Sequence, residues 1–275
     1  MERESDKRDQ LHKAQLKIAK EIRRICDRHE INYFLDCGSL LGAIRHKGFI
    51  PWDDDMDIGM LKKDYDIFLE FASKELGDDF FLDNYLTNPD NALVFSKVRL
   101  RNTKYIEEKG NEQAEHNEVF VDVFPYYYIS DNEFIRKCDG MIMTVISQAI
   151  MSKKGYKVWK GEQAIKRLKF LPTDLLGLFF HEKTLRKWIE NLYNKYSDTK
   201  RVCIHSGSCY DFWFFPKEIL DEYLQTEFEG EIFKIPKEYD LYLSTTYGDY
   251  MKLPPKEKRV THMIKELDLG PYNFQ

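Results

Sequence analysis

Nine prolines and fourteen glycines in 275 residues are too few for a collagen-like or disordered chain. The five cysteines, Cys26, Cys37, Cys138, Cys203 and Cys209, form no CxxC pair, and their odd number excludes a fully paired disulfide framework. A reducing compartment is expected. Cysteine and histidine spacings make no zinc site. Long hydrophobic runs are missing: the longest uncharged stretch, residues 140–152, has 13 residues, where a spanning helix needs ~20. The opening MERESDKRDQ is too polar for a signal peptide, so the expected location is cytoplasmic. Nor is there an excess of positive charge. With 42 Lys and Arg against 47 Asp and Glu the net charge is −5, which argues against nucleic acid as a partner. No internal repeat or low-complexity tract is present.

What is present is a core. Hydrophobic residues make up 43% of the chain, with 19 Phe and 17 Tyr, and the length fits one large or two moderate domains. Leu11, Ala14, Ile18, Ile22 and Ile25 recur at intervals of three and four, the period of one helical face. INYFLDCG reads as a short buried strand ended by Gly38, and SLLGAIRH as a helix capped by Ser39. After the loop HKGFIPWDDD come a strand, MDIGM, and a helical segment, KDYDIFLEFASKEL. NALVFSKVRLRNTKYI reads as a strand in which period two puts Lys97, Arg99 and Arg101 on one face. EVFVDVFPYYYI is an apolar run holding one acid, Asp122, and is expected to stop at Pro125. Residues 151–201 turn helix-like and basic, with thirteen Lys and Arg against five Asp and Glu. They read either as a contact with an anionic membrane surface or as a helical layer with a solvated Lys face. The remainder, through PKEYDLYLSTTYGDYMKLPPKEKRVTH, reads as strands and turns. The chain thus divides into a core at 1–137, a helical basic insertion at 138–201 and a return to the core at 202–275.

The sharpest feature is WDDDMDIGM, which places Asp53, Asp54, Asp55 and Asp57 within five residues. Two unit charges ~4 Å apart repel by ~4 kcal/mol at an effective dielectric of ~20, so carboxylates this close need a cation or must splay into water. Met56, Ile58 and Met60 alternate with the acids, the pattern of a strand entering a core, and this favours the cation. On a strand Asp55 and Asp57 point the same way, and their oxygens suit a hard ion such as Mg²⁺. Upstream, Gly38 and Ser39 mark a strand-to-helix turn whose N–H groups can meet phosphate. Arg45, His46 and Lys47, lying between the turn and the acids, are candidate phosphate contacts, as are Lys97 and Arg99. HSGSC at 205–209 reads as a loop, because no GxSxG elbow frames it. His262 reads as structural, and Trp213, Phe214 and Phe215 as packing residues.

Gly-Ser, then Asp55-x-Asp57, then Asp122 on a later strand resembles the nucleotidyltransferase fold of the DNA polymerase beta superfamily. Within that superfamily, FLDCGSLLGAIRHKGFIPWDDDMDIGM, with VDVFP and the late YGDYMKLPPKEKR, resembles the LicD family of phosphotransferases, which includes fukutin-related proteins. The resemblance covers residues 31–262 and implies a mixed α/β (α+β) core, a mixed sheet flanked by helices. Members of the family transfer a phospho-alcohol, often phosphocholine, from a CDP-alcohol donor to a cell-surface glycan or its lipid-linked precursor, and release CMP. The resemblance puts the metal carboxylates at Asp55 and Asp57 and a third at Asp122, as shared ligand or as base, with Asp53 a further acid of the motif. It implies Mg²⁺ as cofactor, as one ion or two, with Mn²⁺ as a substitute. Gly38 and Ser39 would position the donor diphosphate, and Tyr247, Asp249 and Arg259 are substrate-side candidates. The transferred alcohol stays open among choline, ethanolamine, glycerol and ribitol; Tyr126, Tyr127 and Tyr128 are aromatics that a choline cage could use. Two other readings use the same residues: a nucleotidyltransferase that consumes an NTP and releases pyrophosphate, and a silent glycan- or membrane-binding module.

Overall fold

The first helix, α1 (Glu4–Arg28), buries Leu11, Ala14, Ile18, Ile22 and Ile25 completely, as their spacing predicts. It packs against three later elements of a computed structural model that describes residues 4–107, 116–154, 173, 176–204, 213–259, 263–272 and 274. Two compact units make up the chain, one of residues 1–83, 96–124 and 219–275, the other of 84–95 and 125–218. The class is mixed α/β, as the sequence implies.

In the first unit, β1 (Phe34–Leu35), β2 (Asp57–Leu61), β3 (Phe80–Asp83), β4 (Ser96–Leu100) and the first half of β6 (Phe120–Ile129) form a sheet in the order β1-β2-β6-β4-β3. β2 lies inside this sheet and all five of its residues are buried. That is why an apolar alternation and acids share one strand. Helices α2 (Cys37–His46) and α3 (Lys62–Glu75) flank β2 in sequence. The helix start differs from the sequence expectation. Asp36, not Ser39, is the N-cap of α2, because the carboxylate accepts the Cys37 N–H at 2.8 Å while Ser39 sits one turn in.

The long strand expected over NALVFSKVRLRNTKYI breaks after Leu100; Asn102 has a left-handed φ of 58°, and β5 (Lys104–Glu107) follows. β5 pairs antiparallel with β11 (Ile264–Asp268), apart from the main sheet. A hairpin of β9 (Tyr223–Phe228) and β10 (Glu231–Pro236) turns at Glu229 and Gly230, both with positive φ, the geometry of a two-residue hairpin turn. Residues read as strands and turns near the C-terminus instead hold a helix, α6 (Tyr239–Tyr247), ended by Gly248 at φ 67°. Its Tyr242 and Leu243 are buried, and the polar residues beside them masked the helical period.

β6 does not stop at Pro125. The strand continues to Ile129, and proline stands where the ladder changes partner: β4 pairs as far as Val123, β7 (Arg201–Ile204) from Tyr126. A residue without an N–H costs nothing there. In the second unit β7 also pairs β8 (Phe214–Pro216), and α4 (Glu133–Lys153) packs on α5 (Glu182–Tyr193). Asn132 caps α4 by accepting the Ile135 N–H at 3.1 Å. Phe215 is fully buried, whereas Trp213 and Phe214 are half-buried. Much of the basic stretch (155–172 and 174–175), the HSGSC motif and His262 lie outside the described residues. Among those described, no helix is long and apolar enough to cross a membrane.

Candidate active site

Local backbone bonds set the acids of WDDDMDIGM in place. The Asp57 N–H donates to Ser39 Oγ at 2.9 Å, and the Asp36 N–H donates to the Asp57 carbonyl at 3.0 Å. The start of α2 is therefore pinned to the acidic strand. From α1, His12 Nε2 donates to the Asp53 carbonyl and Gln15 Nε2 to the Asp54 carbonyl, both at 2.8 Å. His12 also stacks flat on Phe49, with ring centroids 3.9 Å apart. Gly38 lies close against the Asp53 side chain: a Cβ at that position would sit 2.6 Å from Asp53 Oδ2 and displace the carboxylate.

The turn into α2 stores strain. Cys37 has φ 45°, the left-handed region that side chains with a Cβ rarely adopt. Its N–H is shared between Asp36 and the Tyr242 hydroxyl, at 2.8 and 3.4 Å, and Tyr242 in turn donates to Asp36 Oδ1 at 2.5 Å. A fully buried acid and a fully buried tyrosine thus hold the bend at which Gly38 and Ser39 begin the helix.

The carboxylates differ in their partners. Asp54 is buried and accepts the Tyr105 hydroxyl, an anchor for the loop. Asp122 Oδ1 is 2.6 Å from Lys97 Nζ, and that ammonium lies 3.4 Å from the centroid of the Phe120 ring. Asp55 and Asp57 have no cation within ion-pair distance among the described residues. Burial, then Asp53, Asp54 and Asp122, raise the Asp55 carboxyl to about 8; burial, then Asp55 and Asp122, push Asp57 well up. Asp53, Asp54 and Asp55 each offer an oxygen within 4.8 Å of the others. Asp122, which is paired with Lys97, acts electrostatically on both Asp55 and Asp57.

The predicted phosphate contacts fall into two sets. Lys97 and Arg99 share a face of β4, as period two requires, but each meets a carboxylate: Arg99 Nε is 2.5 Å from Asp83 Oδ2. Arg99 is buried and also donates to the Glu118 carbonyl, so its role here is to neutralise Asp83. Lys47 is exposed and closes α2 with a left-handed φ of 59°. Arg45 is of the second kind. It stands with Arg259 beside Trp52, the guanidinium carbons 6.0 and 4.3 Å from the indole centroid. Tyr247 is close by; burial, then Cys37, Asp36, Asp57 and Asp53, push its phenol up. Asp249 is exposed in the turn after α6.

Asp36, Tyr242, Tyr105, His12, Gln15 and Trp52 escaped the sequence reading. A lone acid closing the apolar run INYFL was a usable signal for Asp36, by the same argument that singled out Asp122. Nothing in the sequence pairs Tyr242 with a residue 206 positions away.

Residues 30–142 match the family model described as LicD/FKTN/FKRP, nucleotidyltransferase domain. The chain is 30% identical, over 91% of its length and 94% of the relative's, to the lipopolysaccharide cholinephosphotransferase LicD of Haemophilus influenzae. This chain belongs to the LicD family of phosphotransferases. Human ribitol 5-phosphate transferase FKRP is 29% identical over 35% of this chain and 17% of its own length. An uncharacterised protein of Rickettsia prowazekii matches at 27% over 42% of each chain. The family model covers every acid from Asp36 to Asp122, whereas His12, Gln15, Tyr242, Tyr247 and Arg259 lie outside the residues that it matches.

Proposed function

We propose that this LicD family member moves a phospho-alcohol, with phosphocholine the first choice, from a CDP-linked donor to a surface glycan or its lipid-linked precursor, with a divalent cation and release of CMP. The observation that carries the reading is Asp57, buried as the first residue of a central strand, with half-buried Asp55 two positions before it in the preceding loop rather than on the strand itself, neither having a cationic partner among the described residues. An all-oxygen donor set of this kind fits Mg²⁺ or Mn²⁺. Asp55 and Asp57 would hold the ion, with Asp53 beside them. When bound, it supplies positive charge to phosphoryl oxygens.

The chain's own groups would do the rest. The N–H groups at the strained start of α2 would orient the donor diphosphate next to the acids. An acceptor hydroxyl oxygen forms the new P–O bond, the bond from that phosphorus to the CMP phosphate breaks, and the hydroxyl proton passes to a carboxylate. Asp122, a carboxylate that acts on both Asp55 and Asp57, would be the group to take it. Choline is preferred because the relative whose name includes it spans nearly the whole chain, whereas the ribitol enzyme matches only a third. Inner-face membrane docking is an extension of this reading, suited to a lipid-linked acceptor.

The test is a product assay with CDP-choline, CDP-ribitol, CDP-glycerol, CDP-ethanolamine and CTP, each with Mg²⁺ and with EDTA. Metal-dependent CMP from one CDP-alcohol supports the proposal. Pyrophosphate from CTP instead would make the protein a nucleotidyltransferase, and absence of every product with metal and glycan present would make it a binding module.

A further inference from the structure

Arg45, His46, Trp52 and Arg259 make a basic cluster with no acid in it. The two guanidiniums lie against the same indole, and the His46 ring meets that indole edge-on at 6.1 Å. Arg45 Nε donates to His46 Nε2 at 2.9 Å and Nη1 to the Tyr250 carbonyl at 2.8 Å, which fixes the plane of the guanidinium. Arg259 Nε donates to the Pro254 carbonyl at 3.2 Å. Among the described residues neither arginine meets a carboxylate, and Nη2 of Arg45 and both terminal nitrogens of Arg259 have no protein acceptor. Burial and then Arg259 lower the Arg45 pKa. Every other half-buried or buried cation described at this site, Lys97 and Arg99, has its acid.

We propose that Arg45 and Arg259, held against Trp52, form a metal-independent site for a phosphate oxyanion, and that its occupant is the phosphate that leaves with the nucleoside monophosphate. Two planar forks without a counter-charge suit the bidentate geometry of phosphate. The position supports the leaving group. Trp52, against which both guanidiniums lie, directly precedes Asp53 in the chain, so the cluster adjoins the acids without being part of them. A diphosphate spanning the two would put the transferred phosphoryl at the carboxylates and its neighbour at the arginines. Negative charge grows on that neighbour as the bond breaks, and fixed guanidiniums stabilise it. The identity of the occupant rests on the proposed donor; the oxyanion site does not.

The experiment is calorimetric titration of the full chain in EDTA with CMP, cytidine, inorganic phosphate and a hexose 6-phosphate. The wild-type protein is expected to bind CMP more tightly than cytidine, and Arg259→Gln or Arg45→Gln to erase that difference, each weakening CMP about tenfold. Arg259→Lys and Arg45→Lys, which keep the charge, guard against a folding defect and should lose most of the same preference because an ammonium cannot form the fork. Equal CMP affinity in the wild type and both Gln variants would overturn the proposal, as would absence of any CMP preference in the wild type. Tighter binding of the hexose phosphate than of CMP would overturn the leaving-group assignment in favour of a phosphorylated acceptor. If arginine-dependent CMP binding persists in Asp55→Asn/Asp57→Asn but no CDP-alcohol is turned over by the wild type, the oxyanion site stands and the donor reading falls.

Discussion

Each of the two compact units buries a carboxylate on a well-ordered element, and the two are treated in opposite ways. In the second unit Asp139, 3% exposed on α4, meets Lys195 at 2.6 Å and the Tyr196 hydroxyl at 2.9 Å. Arg186 there is likewise spent on Glu182 and on the Asn91 and Leu93 carbonyls. In the first unit Asp57, 7% exposed, has acids for neighbours and no cation at hand. Burying charge is costly unless it is paired, so a fold keeps an unpaired cluster only where something outside the chain completes it. Asp139 and its partners are architecture; Asp57, with no cation among the described residues, is the candidate ligand of an ion from outside the chain.

Exchanging charges is the direct way to break that contrast. Asp57→Asn, and likewise Asp55→Asn, should lower turnover at least ~10³-fold, about 4 kcal/mol of transition-state stabilisation. Yet in EDTA the variant should melt no lower than the wild type, because a repelling charge has gone; a fall in both activity and melting temperature would sink the idea. Lys195→Met performs the opposite operation in the second unit and leaves Asp139 uncompensated. It should cost about 2 kcal/mol in urea unfolding, with specific activity of the folded protein unchanged. Tyr105→Phe removes the hydroxyl from Asp54, whose part is to anchor the loop. A loss of about 1 kcal/mol is expected, with turnover reduced far less than by Asp57→Asn.

The smallest effect is one of pH. Burial and the neighbouring acids hold the Asp55 carboxyl up at about 8, far above the ordinary carboxylate range of about 4, so between those values the folded state holds a proton that the unfolded state has released. Stability linked to this group is complete below about pH 4 and is lost as pH rises towards about 8. The metal-free protein should therefore melt a few degrees lower at pH 8 than at pH 6, and Mg²⁺ should flatten that slope. A slope that is the same with and without Mg²⁺ would show that the acids are not where the ion binds.

Much of this was legible in the sequence, and the rest was hidden for physical reasons. The amphipathic face of α1 and the alternation of Met56, Ile58 and Met60 around Asp57 are local periodicities, and they survive in the structure unchanged. Pro125 misled because a proline rule for strand interiors does not apply where a strand changes partners. Ser39 misled because a good capping residue lost its place to the acid three positions earlier. Lys97 and Arg99 lay correctly on one face of β4, but their partners, Asp122 and Asp83, come from neighbouring strands whose register no local pattern reveals. Trp52 sat within the most distinctive motif and was read only as a flank of the acids, since its two arginines lie seven residues before it and far downstream.

The hydrogen bonds from His12 and Gln15 to the carbonyls of Asp53 and Asp54 bear on inheritance. Those donors stand outside the stretch that matches the family model. A gene that borrowed only residues 30–142 would carry all the acids and none of the helix that grips the loop from behind.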